Sequence, residues 1–409
     1  YDAAAGAYTL HTSSQGSHLV REVLCGFIFK GIDPAKVRVV TPDVGGGFGM
    51  KVFLYAEMVL TLWAAKRLGR PVKWISDRSE AFISDSHGRD NVTRAQLALD
   101  ADGRILGLKV ATTANLGAYL SQFGPYIPTM ACKGMQTGVY AIPAAYVEVK
   151  GVFSNTVPVD AYRGAGRPEA AYMIERLIDA AGRATGLGPV EIRRRNMIRP
   201  EAMPYKTVLA HTYDTGDFPR LLSEGLKDAD WDGFEARRRE SRARGRLRGI
   251  GLAYYIEVCG GEPSVPAMVR VEADKTVSVI VGTQSNGQGH ETAYSQIIAD
   301  RLGIPYESIR VRQGDTALMD KGSFTGGSRS VPVGGPAAGY AADDAVAKGK
   351  EAAAHLLETS AADIEFRGGA YHVVGTDRTV DLFADADAVR SGKAKLASGL
   401  LELAGSAEF

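Results

Sequence analysis

Val157-Pro-Val-Asp160-Ala-Tyr162-Arg163-Gly164-Ala-Gly166-Arg167-Pro168-Glu169 is the stretch on which the reading of this chain turns. An alternating apolar run, Tyr146 to Phe153, leads into it, and an apolar-periodic helix leaves it. Proline at the first helical position followed by an acidic residue is a start signal, so the helix is expected from Pro168. Arg163, Gly164 and Gly166 then sit at a strand-to-helix junction. Backbone N–H groups and a guanidinium at such a place suit an anion. The plainer alternative is a glycine turn whose arginines pair with surface carboxylates.

Three further glycine-rich elements occupy similar places. Val44-Gly45-Gly46-Gly47-Phe48-Gly49-Met50-Lys51 follows the strand pattern Val37–Val40 and precedes a helix, 54–68. Gly287-Gln288-Gly289-His290-Glu291-Thr292 follows a hairpin pattern, 268–271 with 277–282, and precedes a helix ending at Leu302. Gly326-Gly327-Ser328-Arg329-Ser330 precedes another helical run. Each is expected to present N–H groups at a helix start. Gly45-Gly-Gly-Phe-Gly lacks the G-x-G-x-x-G spacing of a dinucleotide fold, and Asp77 comes too late to hold a ribose, which counts against an NAD domain.

At 409 residues the chain exceeds one ordinary core. A net charge of +1 gives no global pull towards nucleic acid. The arginine run 237–248 is interleaved with Glu235 and Glu240, the pattern of a solvated helix face. No apolar run approaches the roughly 20 residues of a membrane helix. Cys25, Cys132 and Cys259 are far apart and form no CxxC pair, so no metal cradle follows from spacing, and so sparse a count fits a reducing compartment.

Along the chain, Leu19, Val20, Val23, Leu24 and Phe27 space a helix that Ser17 could cap. Gly69 and Pro71 end the 54–68 helix, and a strand is expected at 72–75. Asn91 to Leu99 and Ile105 to Thr113 form a hairpin around Asp100-Ala-Asp-Gly103. Residues 114–145 are long and irregular, either channel wall or solvated loop. A composition shift over 200–248 places the domain division there, giving 1–235 and 236–409. Leu68-Gly-Arg-Pro71 and Leu302-Gly-Ile-Pro305 occupy matching places, so the second half partly repeats the first.

In their order, these motifs make the chain resemble the large, molybdenum-binding subunit of the molybdenum hydroxylases, the group of xanthine dehydrogenase, aldehyde oxidoreductase and aerobic carbon monoxide dehydrogenase. The likeness runs over nearly the whole chain. It is greatest to the carbon monoxide dehydrogenase-like branch carrying Ala161-Tyr-Arg-Gly-Ala-Gly-Arg167. It implies an α+β fold of two similar mixed α/β domains of the molybdopterin-binding type, facing each other across a cofactor cleft. It also implies molybdopterin with molybdenum, in the cytosine dinucleotide form, and iron–sulfur clusters and FAD on partner subunits or domains. The complete assembly would be a cytoplasmic dimer of heterotrimers with a small-molecule substrate, no nucleic acid and no membrane span. The chain lacks an initiator Met and is expected to be a fragment, inactive alone.

The resemblance also assigns residues. Gln15 would stand near the metal's oxo group, Phe48 would wall the substrate pocket, and Arg163 would bring positive charge to the metal centre. Gly46, Gly47 and Gly49 would allow close backbone approach, with Gly164 beside the arginine. Gln288 would offer donor and acceptor to the pterin or the metal oxo. Gly289, His290, Glu291 and Thr292, with Gly327, Ser328 and Ser330, would supply N–H groups and hydroxyls to the pyrophosphate. No protein side chain would bond the metal. Read from residues alone, Gln15 is equally a polar residue before a helix and Phe48 a core aromatic. His18 reads as an ordinary helix-terminal residue.

The implied reaction is hydroxylation with water as oxygen source and a glutamate as base. That glutamate belongs to a Gly-x-Gly-Glu motif beyond Ser330, and Val331 to Phe409 contains none. Gly260-Gly-Glu262-Pro263 is out of order, and Glu262 reads as a turn carboxylate. Gly164 stands where carbon monoxide dehydrogenases proper carry a copper-binding cysteine, and Val52 where purine oxidisers carry a glutamate. An aldehyde or an aromatic heterocycle is the expected substrate. The alternatives are a carbon monoxide dehydrogenase-like oxidoreductase without the copper cysteine, or a nucleotide-binding domain without molybdenum.

Overall fold

A computed structural model describes residues 1–260 and 264–409, so Glu262 lies outside the described residues. The architecture is α+β. By contacts the chain forms two compact units, Tyr1–Ser76 with Val258–Phe409, and Asp77–Glu257. This grouping differs from the division in chain order at 235. The first strands bond to a late segment: Thr41 N–H donates to the Gly314 carbonyl at 2.6 Å and Thr316 N–H to the Val39 carbonyl at 3.1 Å.

In the first unit, strand Tyr8–His11 lies parallel to strand Val37–Val40, with Tyr8 opposite Val37. Helix Ser17–Val23 and helix Ala56–Leu68 pack with them around Leu10, Val20, Leu24, Val39 and Leu62. Gly16, not Ser17, caps the first helix. Gly69 ends the second in the left-handed conformation, at φ 62°. Residues 72–75 are not a strand, because no described segment forms a ladder with them.

The larger part of this unit is a four-stranded sheet. Its order is Ile309–Arg312, Val277–Val281, Pro266–Val271, Ala404–Glu408. Val277–Val281 is buried at every position, as an inner strand covered on both faces must be. Helix Gly334–Leu356 reaches the sheet closely because its buried face is alanine and glycine. A Cβ at Gly405 would stand 2.1 Å from the Ala341 carbonyl oxygen and 2.3 Å from the Ala345 nitrogen. Helix His290–Leu302 packs beside it, and Gly303 ends that helix as Gly69 ends its counterpart. A three-stranded antiparallel sheet, Ile364–Arg367, Ala370–Val373 and Thr379–Asp381, leads into helix Leu382–Arg390.

That last helix buries a carboxylate. Asp385 is fully buried, and neither of its oxygens has a hydrogen-bond partner among the described residues. Burial, reinforced by Asp381, pushes its carboxyl up to about 7. An unfolded aspartate titrates near 3.9. Between these values the folded chain holds a proton that the unfolded chain has released, so stability falls as pH rises from about 4 to 7. The shift corresponds to about 4 kcal/mol. Asp385→Asn should therefore raise stability at pH 8 and flatten its dependence between pH 5 and 8. Urea unfolding at the two pH values checks this; an equal pH slope in parent and variant would refute it.

The second unit is built on a three-stranded sheet. Asn91–Leu99 pairs antiparallel with Ile105–Asn115, which pairs parallel with Ala145–Val152. A parallel neighbour requires a crossover, and residues 116–144 are that crossover. Their later part is core, with Ile127, Met135, Val139, Tyr140 and Ile142 buried, while Tyr119, Leu120, Tyr126 and Met130 are exposed. Helices Arg167–Ala184 and Gly188–Asn196 pack together. Between them Arg193, fully buried, holds Glu175 at 2.7 Å and Asp179 at 2.8 Å. Tyr140 donates its hydroxyl to Glu175 at 2.5 Å, and burial pushes the phenol pKa up, so it remains a donor. Among the described residues no helix is long and apolar enough to cross a membrane.

Candidate functional site

Four segments far apart in sequence converge in the first unit. Gln15 is the first link. Its Oε1 accepts from the Gly49 N–H at 2.8 Å and the Lys51 N–H at 3.2 Å, and its Nε2 donates to the Thr325 carbonyl at 2.6 Å. It is buried, so in this structure its amide is a clamp between two loops. Gly47 is glycine for this reason: a Cβ there would stand 2.4 Å from Gln15 Oε1.

Phe48 is 54 % exposed and has φ 57°. A left-handed phenylalanine is strained, and such strain persists where the surroundings impose it. Its ring lies against Gly46, where a Cβ would meet Cε2 at 2.7 Å. Gly46, at φ 83°, donates its N–H to the Asn286 carbonyl at 3.1 Å.

On the facing segment, Gln288 is exposed and its Oε1 accepts from the Asn286 N–H at 2.5 Å. Gly289, at φ 80°, opens helix His290–Leu302 with no side-chain cap, leaving the first N–H groups of that helix to solvent or a ligand. Glu291 and Thr292 are exposed in its first turn. His290 turns inward instead. It is buried, its Nδ1 meets Gln313 Oε1 at 3.1 Å, and burial lowers its pKa, so the ring is neutral. Only its backbone N–H is left to face a ligand.

The Gly326–Ser330 element is a turn wrapped around its own arginine. Arg329 is buried, donates to the Gly326 carbonyl at 2.9 Å and stacks on Phe324 at 4.5 Å. Gly327 and Ser328 are exposed at φ 62° and 55°, and the Ser330 carbonyl accepts from Tyr294 at 2.6 Å. The expectation that every glycine element starts a helix needs correcting here. The following helix begins at Gly334, and the one after Gly45–Gly49 begins at Ala56. Those two loops are held by side-chain clamps, not by a helix end.

Room for a ligand is uneven. A Cβ at Gly45 or Gly289 would meet nothing within 4 Å, and one at Gly287 only the Val44 carbonyl at 3.9 Å. These backbones border open space, whereas Gly46 and Gly47 are needed by the chain's own packing. Asn286 Oδ1 and Gln284 Oε1 are buried acceptors without a partner among the described residues, as is Nε2 of the neutral His290 ring, whose Nδ1–H faces Gln313 Oε1. Backbone N–H donors at an uncapped helix end, beside open space, fit a flat, hydrogen-bonding group that carries phosphate.

Arg163 and Gly164 belong to the second unit. Gly164, Ala165 and Gly166 are left-handed in succession, at φ 92°, 45° and 92°. Gly166 opens helix Arg167–Ala184. The Arg163 carbonyl accepts from Arg89 at 2.6 Å, while its side chain is exposed. Sequence reasoning missed Ser14, Asn286 and Thr325, which tie the first-unit loops together. The polar run Thr283-Gln-Ser-Asn286 after a buried strand was the available signal.

This fold and site define molybdopterin cofactor-binding domains, and family models of that description match residues 1–197 and 224–402. The chain belongs to the molybdenum-binding large subunits of the molybdenum hydroxylase family. It is 38 % identical over 401 residues to the carbon monoxide dehydrogenase large chain of Hydrogenophaga pseudoflava, covering 94 % of this chain and 50 % of that one. It is 33 % identical to the nicotine 6-hydroxylase large subunit of Paenarthrobacter nicotinovorans, covering 92 % and 47 %. The crystal structure of quinoline 2-oxidoreductase from Pseudomonas putida 86 superposes with a TM-score of 0.90 at 32 % identity, covering 100 % of this chain and 54 % of that one. The chain thus spans about half the length of the curated relatives it matches.

Proposed function

We propose that this chain holds the molybdopterin part of a hydroxylase that oxidises an aldehyde or an aromatic heterocycle with water as oxygen source. Its electrons would leave through iron–sulfur and FAD partners. The observation that carries this is the convergence of Gln15, Gly46–Gly49 and Gln288 on one network bordered by open backbone at Gly45, Gly287 and Gly289. When bound, the molybdenum group supplies the two-electron oxidation and the oxygen transfer. The chain's share is binding and orientation. Gly289–Thr292 would take a phosphate on N–H groups, assisted by the hydroxyls of Thr292, Ser328 and Ser330. Gln288 would hold a pterin edge, Phe48 would limit the substrate, and Arg163 would favour developing negative charge.

Two of the relatives are named for nicotine and quinoline, and both are aromatic heterocycles. A molybdenum–copper site is disfavoured at Gly164. A cysteine there would adopt φ 92° with its Cβ 2.3 Å from Pro168 Cγ. Among the described residues no group of three or more His, Cys, Asp or Glu could hold a metal ion.

The test is metal and nucleotide analysis of the protein purified with its partner subunits. About one molybdenum and one cytidine monophosphate per chain are expected after mild acid release. A folded, complete preparation containing neither would overturn the proposal.

A further inference from the structure

Asn286 lies between the buried strand Val277–Val281 and the Gly287–Gly289 turn, and three segments meet on it. Its Nδ2 donates to the Ser14 carbonyl at 3.1 Å. Its own carbonyl accepts from the Gly46 N–H at 3.1 Å, and its N–H donates to Gln288 Oε1 at 2.5 Å. The residue is 9 % exposed. Two neighbours extend the stitch. The Thr325 N–H donates to the Gln15 carbonyl at 2.8 Å, and Thr325 Oγ1 donates to the Gln284 carbonyl at 2.5 Å.

We infer that Asn286 is a positioning residue that sets the Gly45–Lys51 loop against the Gly287–Gly289 turn before any ligand arrives. This deepens the proposed function and rests on it. The chemistry requires a side-chain donor. Ser14 offers a carbonyl, which only accepts, so the side chain must present a donor. An aspartate would set an anion against that carbonyl, and an aliphatic residue would leave it buried and unpaired. The carbonyl of Ser14 also fixes which way the amide points, leaving Oδ1 as the buried atom without a partner among the described residues. A cradle set in advance spares the ligand the cost of ordering two loops.

The experiment is amide hydrogen exchange on the cofactor-free full-length protein carrying Asn286→Asp, with Asn286→Ser as the milder variant should the first fail to fold. The expected result is at least tenfold faster exchange at Gly46, with the amides of strand Val277–Val281 and helix His290–Leu302 unchanged. A residue of general structural importance would raise exchange across the whole unit. Holoenzyme preparations of the same variant should retain several-fold less molybdenum and cytidine monophosphate than the parent. Unchanged exchange at Gly46, or a uniform rise, overturns the positioning role. Faster exchange at Gly46 with full cofactor content overturns its relevance to the ligand. Absence of molybdenum from the parent itself would instead overturn the functional reading, leaving the exchange result to stand alone.

Discussion

Arg193→Met should destabilise the second unit by about 3–5 kcal/mol, the usual cost of stripping one partner from a buried ion pair. Arg193 is fully buried, and it holds Glu175, Asp179, the Pro189 carbonyl and the Leu252 carbonyl at once. Methionine fills similar volume, so packing changes little and the loss is electrostatic. Glu175 would remain buried, with the Tyr140 hydroxyl and the Tyr254 N–H as its hydrogen-bond donors among the described residues. Adding Glu175→Gln to the first change should recover part of the stability, because the buried carboxylate is then neutral and only the more exposed Asp179 keeps its charge. Urea unfolding of parent, single and double variants measures this. A single variant within 1 kcal/mol of the parent (about the worth of an exposed pair) would show that the network carries little.

Arg163→Ala should lower turnover of the holoenzyme about a hundredfold, or about 3 kcal/mol, if its guanidinium stabilises charge developing at the cofactor. The turn should survive the change. Its shape comes from Gly164, Ala165 and Gly166, and from the Arg89 bond to the Arg163 carbonyl, which alanine keeps. Molybdenum content should match the parent, so that the loss appears in kcat. An unchanged rate in a fully loaded variant would remove Arg163 from the catalytic assignment.

Much of the fold was legible where local chemistry decides it. Val37–Val40 and Asn91–Leu99 are strands as the alternation predicts, and Pro168 lies in the first turn of its helix. Residues 72–75 show the limit. They carry the composition of a strand, but a strand exists only by pairing, and no described segment pairs with them. Ala404–Glu408 is the converse case. Its small residues give no strand signal, yet the ladder with Pro266–Val271 makes it one. The site divides similarly. The glycine loops were visible as motifs, whereas the roles of Asn286 and Thr325 depend on partners more than two hundred residues away. Gln15 was visible too, but its hydrogen bonds to the backbone at Gly49, Lys51 and Thr325 were not.

The contact at Gly405 has a genetic consequence. A side chain there would strike the Ala341 carbonyl and the Ala345 nitrogen, which are backbone atoms. Trimming neighbouring side chains can relieve a crowded core, but no replacement at 341 or 345 shortens the main chain. A lesion at Gly405 therefore has no local suppressor. Reversion would have to restore glycine, or shift the whole Gly334–Leu356 helix away from the sheet through changes at several positions along its length.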